Sequence, residues 1–245
     1  MEDIKALIIK RRSIRKYEAA PPEGSVLTEI AEFIKATEPL IPDSGKYSFK
    51  IIGSDEFFAS TGGAFRIRAP YYIVFFGDGT DEAYRNIGYA GELAVLKLTA
   101  MNIGTCWLGG ANSKETTDGN AYAISIAFGK PSEEFRKSMG EADRNPLDKI
   151  AQGYDDEQRE MLEYVRIAPS AVNYQPWSFR CEKGEIHVFR RKTGGMMTMI
   201  KSIRTLQKID IGIAVAHFTI KKFRYERKDI ADEKMTYEGT LVFDQ

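Results

Sequence analysis

Ile4, Leu7 and Ile8 recur at helical spacing and share one face, which predicts a short helix over residues 2–10. A basic run begins where that helix ends. Beyond Pro21 and Pro22, residues 26–36 carry Leu27, Ile30, Ala31, Phe33 and Ile34 along one side of an amphipathic helix. A loop over 37–46 then leads to a strand at 47–52. The run from Tyr71 to Phe76, bounded by Pro70 and by Gly77-Asp78-Gly79, is β-branched and aromatic and predicts a central strand. Residues 86–101 predict a long, mostly apolar helix, and 122–128 a further strand closed by Gly129 and Pro131. From Ser132 to Asp155 the chain is polar without periodicity, the expected composition of a linker.

The second half then repeats the pattern of the first. Glu163-Tyr164-Val165-Arg166 matches Glu32-Phe33-Ile34-Lys35 type by type, and Ser178-Phe179-Arg180 matches Ser48-Phe49-Lys50. Asp210-Ile211-Gly212-Ile213-Ala214 answers Asn86-Ile87-Gly88-Tyr89-Ala90, each opening a long helix. A closing strand at 235–243 stands where 122–128 stands earlier. Four blocks in one order point to an internal duplication, with halves at 1–150 and 151–245 tightly associated as one unit.

At 245 residues and 43% hydrophobic, the chain can bury a sizeable core. Lys+Arg and Asp+Glu both number 35, so no global field gathers nucleic acid or an anionic membrane, and any anion must be held by a local cluster. This weighs against a nucleic-acid module built on the RRSIRK and FRYERK patches. Cys106 and Cys181 have neither paired nor metal-ligand spacing, and the acidic start before a short apolar stretch is the wrong order for a secretory signal. A cytoplasmic location is the expectation. His187, on a predicted strand, and His217, within an apolar helix, read as structural, so a His-based triad or a metal site has little support.

Three constellations carry candidate chemistry. Arg11-Arg12-Ser13-Ile14-Arg15-Lys16-Tyr17 offers guanidinium forks and a hydroxyl at a helix-to-loop junction, suited to a phosphate or equally to a solvated basic patch. Ala168-Pro169-Ser170-Ala171-Val172-Asn173-Tyr174-Gln175-Pro176-Trp177 combines small residues with amide groups able to read a ring edge, or forms an ordinary proline-bounded turn. Gly104-Thr105-Cys106-Trp107-Leu108-Gly109-Gly110 follows the long helix, and its glycines permit close backbone approach to a ligand or simply a tight connection.

Together, and with Arg144-Asn145-Pro146-Leu147, these motifs resemble the nitroreductase family of FMN-dependent flavoproteins. The resemblance implies an α+β fold with a central, mostly antiparallel sheet flanked by helices. It implies that Arg11, Ser13 and Arg15 hold the FMN phosphate, ribityl chain or pyrimidine edge, with Arg12 contributing chiefly backbone and Arg144 adding to the phosphate. Pro169, Ser170, Ala171, Asn173 and Gln175 would line the ring, and Leu108 with Gly109 would approach N5. Val172 and Tyr174 are spacers of the motif, free to pack.

One departure from the family pattern is informative. The first half has TEPLIPDSGKY where the ring motif should stand, and the second half lacks a counterpart of RRSIR. Ordinary members build the site across two subunits, so the complementary halves resemble a single-chain pseudo-dimer with one site, for which a monomer suffices. The implied activity is reduction of a nitroaromatic, quinone or similar small acceptor with NADH or NADPH, by ping-pong hydride transfer carried by the flavin and not by a catalytic side chain. With no GxGxxG after a strand, the nicotinamide would stack on the flavin without a Rossmann unit. The Gly- and Met-rich segment 193–199 would cover the ring or act as a connector. The alternative function is a flavin-binding carrier or sensor without turnover.

Overall fold

The computed structural model describes residues 3–64, 67–192 and 201–244; segment 193–199 lies outside the described residues. Along the first part run α1 (Ile4–Lys10), α2 (Gly24–Ala36), β1 (Tyr47–Gly53), α3 (Ser54–Ser60), β2 (Thr61–Gly63), β3 (Tyr71–Gly77), α4 (Asp81–Ala100), β4 (Gly104–Trp107), β5 (Ala111–Ser113), β6 (Thr116–Thr117) and β7 (Asn120–Gly129). The second part has β8 (Ala151–Gln152), α5 (Asp156–Arg166), β9 (Trp177–Glu182), β10 (Glu185–Arg191), α6 (Lys201–Ala216), β11 (Phe223–Glu226) and β12 (Met235–Phe243). The long helix starts five residues earlier than its apolar pattern suggests, because the Thr80 hydroxyl accepts from Ala83 N and caps it.

Helices and antiparallel sheets make this an α+β fold. Among the described residues, ten strands divide between two five-stranded sheets instead of one, and β2 pairs with β5 in a separate antiparallel pair. The first has the order β1-β3-β7-β4 with β6 beside β7, all antiparallel; the second has the order β11-β12-β10-β9-β8, antiparallel except for the β8–β9 pair. Read from its first hairpin, β9-β10-β12-β11 has the order and senses of β1-β3-β7-β4. Even the register breaks agree, at Phe75/Phe76 in the β3–β7 pair and at Val188/Phe189 in the β10–β12 pair. In both parts a helix, α4 or α6, leaves the second strand of that order and leads to the last.

Those two helices pack on each other through glycine. A Cβ at Gly88 would sit on the Ile209 carbonyl, 3.0 Å from Ile213 N, and one at Gly212 would sit on the Arg85 carbonyl, 2.8 Å from Tyr89 N. Only hydrogen in place of a side chain allows that approach. The largest apolar cluster runs through both parts, from Ile30, Phe75, Ile87 and Ile126 to Trp177, Val188, Ile209 and Phe218. Among the described residues, no helix is long and apolar enough to cross a membrane.

Residues 132–155, which read as a slack linker, are instead a packed strap. Glu133 accepts the backbone N–H groups of Arg15 (2.7 Å) and Lys16 (3.3 Å), two short 3-10 turns follow, and β8 pairs with β9. Its ties to the N-terminal segment run through the polar side chains of Glu133 and Arg136, so the segment has no apolar period to read.

Candidate active site

The basic motif takes its shape from the end of α1. Arg11 caps that helix, its N–H donating to Leu7 O, and the chain then runs beside β4, where Ile14 N donates to Thr105 O (2.9 Å). Buried Ile14 presses on Gly104, where a Cβ would come within 2.9 Å of it. The motif and the segment leading to Leu108 and Gly109 are thereby held side by side. Arg136, from the strap, donates through Nε to Ile9 O and through Nη2 to Ile8 O, both 2.7 Å, satisfying carbonyls that the end of α1 leaves open.

The ring motif forms a tight loop above α6. Ser170 Oγ accepts from Gln175 N (2.9 Å), Asn173 Nδ2 donates to Asp143 O (3.0 Å), and Ala171 N donates to Asp210 Oδ1 (3.0 Å). Val172, Asn173 and Gln175 all have positive φ, 47°, 57° and 50°. For Asn this is tolerated, but for β-branched Val it is a strained conformation costing about 1–2 kcal/mol. Such strain persists where surrounding bonds over-determine it, commonly at functional sites.

Between these parts lies a cavity of about 930 Å³, the size of a cofactor or substrate pocket. Of the residues carried over from the motifs, Arg11, Arg12, Ser13, Arg15, Leu108, Gly109, Arg144, Pro169, Ser170, Ala171 and Asn173 all line it. Gln175 does not. It is buried behind the loop, accepting from Asn145 N (2.8 Å) and donating to Asn173 O (3.2 Å), which leaves it a brace of the motif. Leu108 lines the wall with its side chain while its N–H is already given to Ser125 O (2.8 Å). Gly109 faces α6, a Cβ there reaching Leu206 at 3.3 Å and Ala171 at 3.9 Å. Val172 and Tyr174, spacers of the motif that were free to pack, stand exposed at the cavity's edge.

Five arginines line this cavity, the fifth being Arg136, which no motif indicated. Burial, with the Arg11 charge adding to it, lowers the Arg136 pKa to about 9 and the Arg144 pKa to about 10, so both stay cationic at neutral pH. Clustered cations that depress each other favour an anion between them. Burial also raises the Cys106 thiol, against the opposing influence of Arg15 and Arg11, so the cavity has no ready thiolate.

Two buried polar atoms without a hydrogen-bond partner, Gln207 Nε2 and Asp210 Oδ2, belong to residues that line the same cavity. A buried group left unpaired costs roughly 1–3 kcal/mol, and these two, one turn apart on α6, are groups that a ligand in the cavity could partner. Behind Arg11 stands Glu92, fully buried on α4, accepting from Trp107 Nε1 (2.8 Å) and paired with His217 Nε2 (3.1 Å) and Arg11 Nε (3.8 Å). The other nitrogen of His217, Nδ1, contacts Tyr164 O (2.9 Å). His217 therefore acts as a structural tie between the two parts, placed in a 3-10 turn after α6. Its counterpart in this reading, His187, is hydrogen-bonded through Nδ1 to Thr240 Oγ1 (2.8 Å), away from the cavity.

The sequence profile of the family described as Putative TM nitroreductase matches residues 3–222. Among solved structures, a putative nitroreductase from Thermotoga maritima is similar over 98% of this chain and 94% of its own, with 21% identity and a TM-score of 0.69. A nitroreductase family protein from Clostridium difficile shares 17% identity, over 63% of this chain and 99% of its own, with a TM-score of 0.49. A putative nitroreductase from Desulfovibrio desulfuricans, solved in complex with FMN, shares 18% over 63% of this chain and 99% of its own, with a TM-score of 0.47. No curated protein matches this chain significantly. With nine-tenths of its length matched by the family profile and a nitroreductase fold throughout, the chain belongs to the Putative TM nitroreductase family of oxidoreductases.

Proposed function

We propose that this chain is an FMN-dependent oxidoreductase that uses NADH or NADPH to reduce a small acceptor such as a quinone or nitroaromatic. The observation that carries the reading is the convergence, on one cavity, of five arginines with two unpartnered buried polar atoms and a strained loop. That donor set fits a phosphate joined to a flat, polar-edged ring. Arg12, Arg15, Arg144 and Arg136 would hold the phosphate through charge-assisted hydrogen bonds. Arg11, its Nε 3.8 Å from Glu92, would add charge. The loop 169–173 and Gly109 would bracket the ring, with Leu108 and Leu206 excluding water.

Bound FMN would supply the two-electron chemistry, accepting hydride from NAD(P)H and passing it on. This chain's residues contribute orientation and electrostatics. The repeated strand order and the reciprocal helix crossing support the further reading that residues 1–150 and 151–245 are two halves standing for two subunits, with one site per chain. One half carries the phosphate arginines and the other the ring loop.

The test is an FMN titration followed by anaerobic addition of NADH or NADPH. Uptake of one FMN per chain and bleaching of its absorbance are expected. Uptake without bleaching by either nucleotide would leave a flavin carrier instead. The single-chain site is tested by refolding Arg15→Ala and Asn173→Ala chains together. Each chain keeps its own lesion, so no recovery of FMN binding is expected, and recovery would place the site between chains.

A further inference from the structure

Asn86 and Asp210 stand at corresponding places on α4 and α6, two residues before Gly88 and Gly212. Each accepts a backbone N–H from the loop above its helix: Asn86 Oδ1 from Ile41 N at 2.9 Å, Asp210 Oδ1 from Ala171 N at 3.0 Å. Their second atoms part company. Asn86 Nδ2 donates to the carbonyls of Ile41 (3.3 Å), Ser44 (2.9 Å) and Gly45 (3.1 Å). That loop comes so close to α4 that a Cβ on Gly45 would overlap Glu82 and Ala83.

Above α6 the loop meets Asp210 through Ala171 N, and among the described residues no carbonyl stands over it as those over Asn86 do. The residues corresponding to Glu82 and Ala83 are Leu206 and Gln207, and both line the cavity. Asp210 Oδ2 and Gln207 Nε2, one turn apart and each at most 3% exposed, are left without partners. The cavity therefore occupies the place that loop carbonyls occupy over α4, where the corresponding side chain is a donor.

We propose that Asp210, protonated on Oδ2, and Gln207, through Nε2, form a two-donor edge that binds acceptor atoms of the planar ring in the cavity. The inference rests on the flavin reading above and assigns two positioning residues to it. Over α4 an amide donates to peptide carbonyls; over α6 a carboxylic acid and an amide donate to ring carbonyl-like atoms. An ionised Asp210 would turn a negative oxygen toward those same acceptors, so binding should weaken as the carboxyl ionises.

Burial drives the Asp210 carboxyl up to about 8, with the Ala171 N–H opposing the rise. The remaining charged groups around it have partners or stand elsewhere on the wall. Arg85, from α4, is paired with Glu82 and Glu238, and Lys208, on the same helix, with Asp81. Tyr89 packs from α4 at the helix crossing, and its hydroxyl is raised by burial. The cavity arginines, with Glu141 and Asp143, complete the lining.

The experiment is an FMN titration by fluorescence quenching from pH 6.5 to 9.5, on the full chain and on Asp210→Asn and Asp210→Leu, with circular dichroism to verify folding. Asn retains the acceptor for Ala171 N and places a permanent donor where Oδ2 stands. At pH 7 it should bind FMN within about threefold of wild type, while Leu binds at least about tenfold more weakly. At pH 9 wild type should be about tenfold weaker relative to Asp210→Asn than at pH 7. The phosphate and ring titrations of FMN are common to both proteins and cancel in that ratio. Loss of binding in Asp210→Asn at pH 7, or a ratio that does not change with pH, overturns the donor edge while leaving the flavin site intact. Absence of FMN binding by wild type at every pH overturns both.

Discussion

Gly88 of α4 lies on the Ile209 carbonyl of α6, and Gly212 of α6 lies on the Arg85 carbonyl of α4, so the two glycines make the same contact from opposite sides. Replacing either with Ala brings a gain in helix propensity of about 1 kcal/mol. It also drives a methyl into backbone that cannot rotate away, a clash costing about 1–3 kcal/mol or more. We expect each variant to be net destabilised in urea unfolding. Because both open one shared contact, the double variant should lose less than the sum of the two. Two additive losses would mean that the helices separate independently at each glycine.

Arg15 is exposed at the cavity, whereas Arg11 is 2% exposed and sits beside Glu92. Arg15→Ala should raise the FMN dissociation constant about ten- to a hundredfold, the weight of one charge-assisted contact, with an unchanged melting temperature. Arg11→Ala should weaken binding and also lower stability by about 1–3 kcal/mol, since Glu92 keeps only Trp107 and His217. Calorimetry of the two apo proteins separates these outcomes.

Asp210 also makes the apo fold sensitive to pH. Its carboxyl is at about 8 in the fold against an ordinary 3.8, so the folded chain holds a proton there that the unfolded chain releases. That contribution is fully present below about pH 4 and is lost as pH rises through 8, at no more than about 1.4 kcal/mol per unit. Asp210→Asn should remove this slope, so that the variant gains on wild type in urea melts as pH rises from 5 to 8. Parallel curves would show that Asp210 ionises in the fold as it does in the unfolded chain.

Glu238, 2% exposed on β12, receives Arg85 from α4 and Arg190 Nε from β10 (2.6 Å). Glu238→Ala leaves Arg85 with Glu82 alone and Arg190 without its carboxylate. We expect a loss of about 3–5 kcal/mol, as for other buried pairs broken from one side. Glu238→Gln should lose less, because the amide oxygen still accepts one of the two donors. Equal losses would point to packing and not to charge.

Strand and helix positions were legible because β3, β7, α4 and β12 carry long periodic or continuous apolar runs. The four matched sequence blocks fall on α2 and α5, β1 and β9, α4 and α6, and β7 and β12. The division into two sheets was not legible, since alternation within a strand says nothing about which strands share an edge. The motif residues gathered at one cavity, apart from Gln175, because small residues and arginines advertise a close-approach site by type. Arg136 gave no signal, since an arginine in an aperiodic segment looks the same whether it caps a helix or meets water. Glu92 sat inside a run read as apolar helix, Asp210 at the opening of another, and Gln207 just before it. A buried carboxylate on such a helix was the available sign, and only the partners around it distinguish a structural tie from a ligand contact.

The helix crossing at Gly88 and Gly212 has its two sides written at different positions of one chain. Where identical subunits meet about an axis, every substitution arrives twice, and a residue good for one side must be tolerated on the other. Here a change on α6 leaves α4 untouched. Asn86 could close a loop onto its helix while Asp210 kept a cavity open, and Arg85 could join a buried ion network while Ile209 stayed apolar. On the proposed reading of two halves in one chain, each residue at the crossing could specialise, and a change at this cavity would carry no penalty on a mirrored copy.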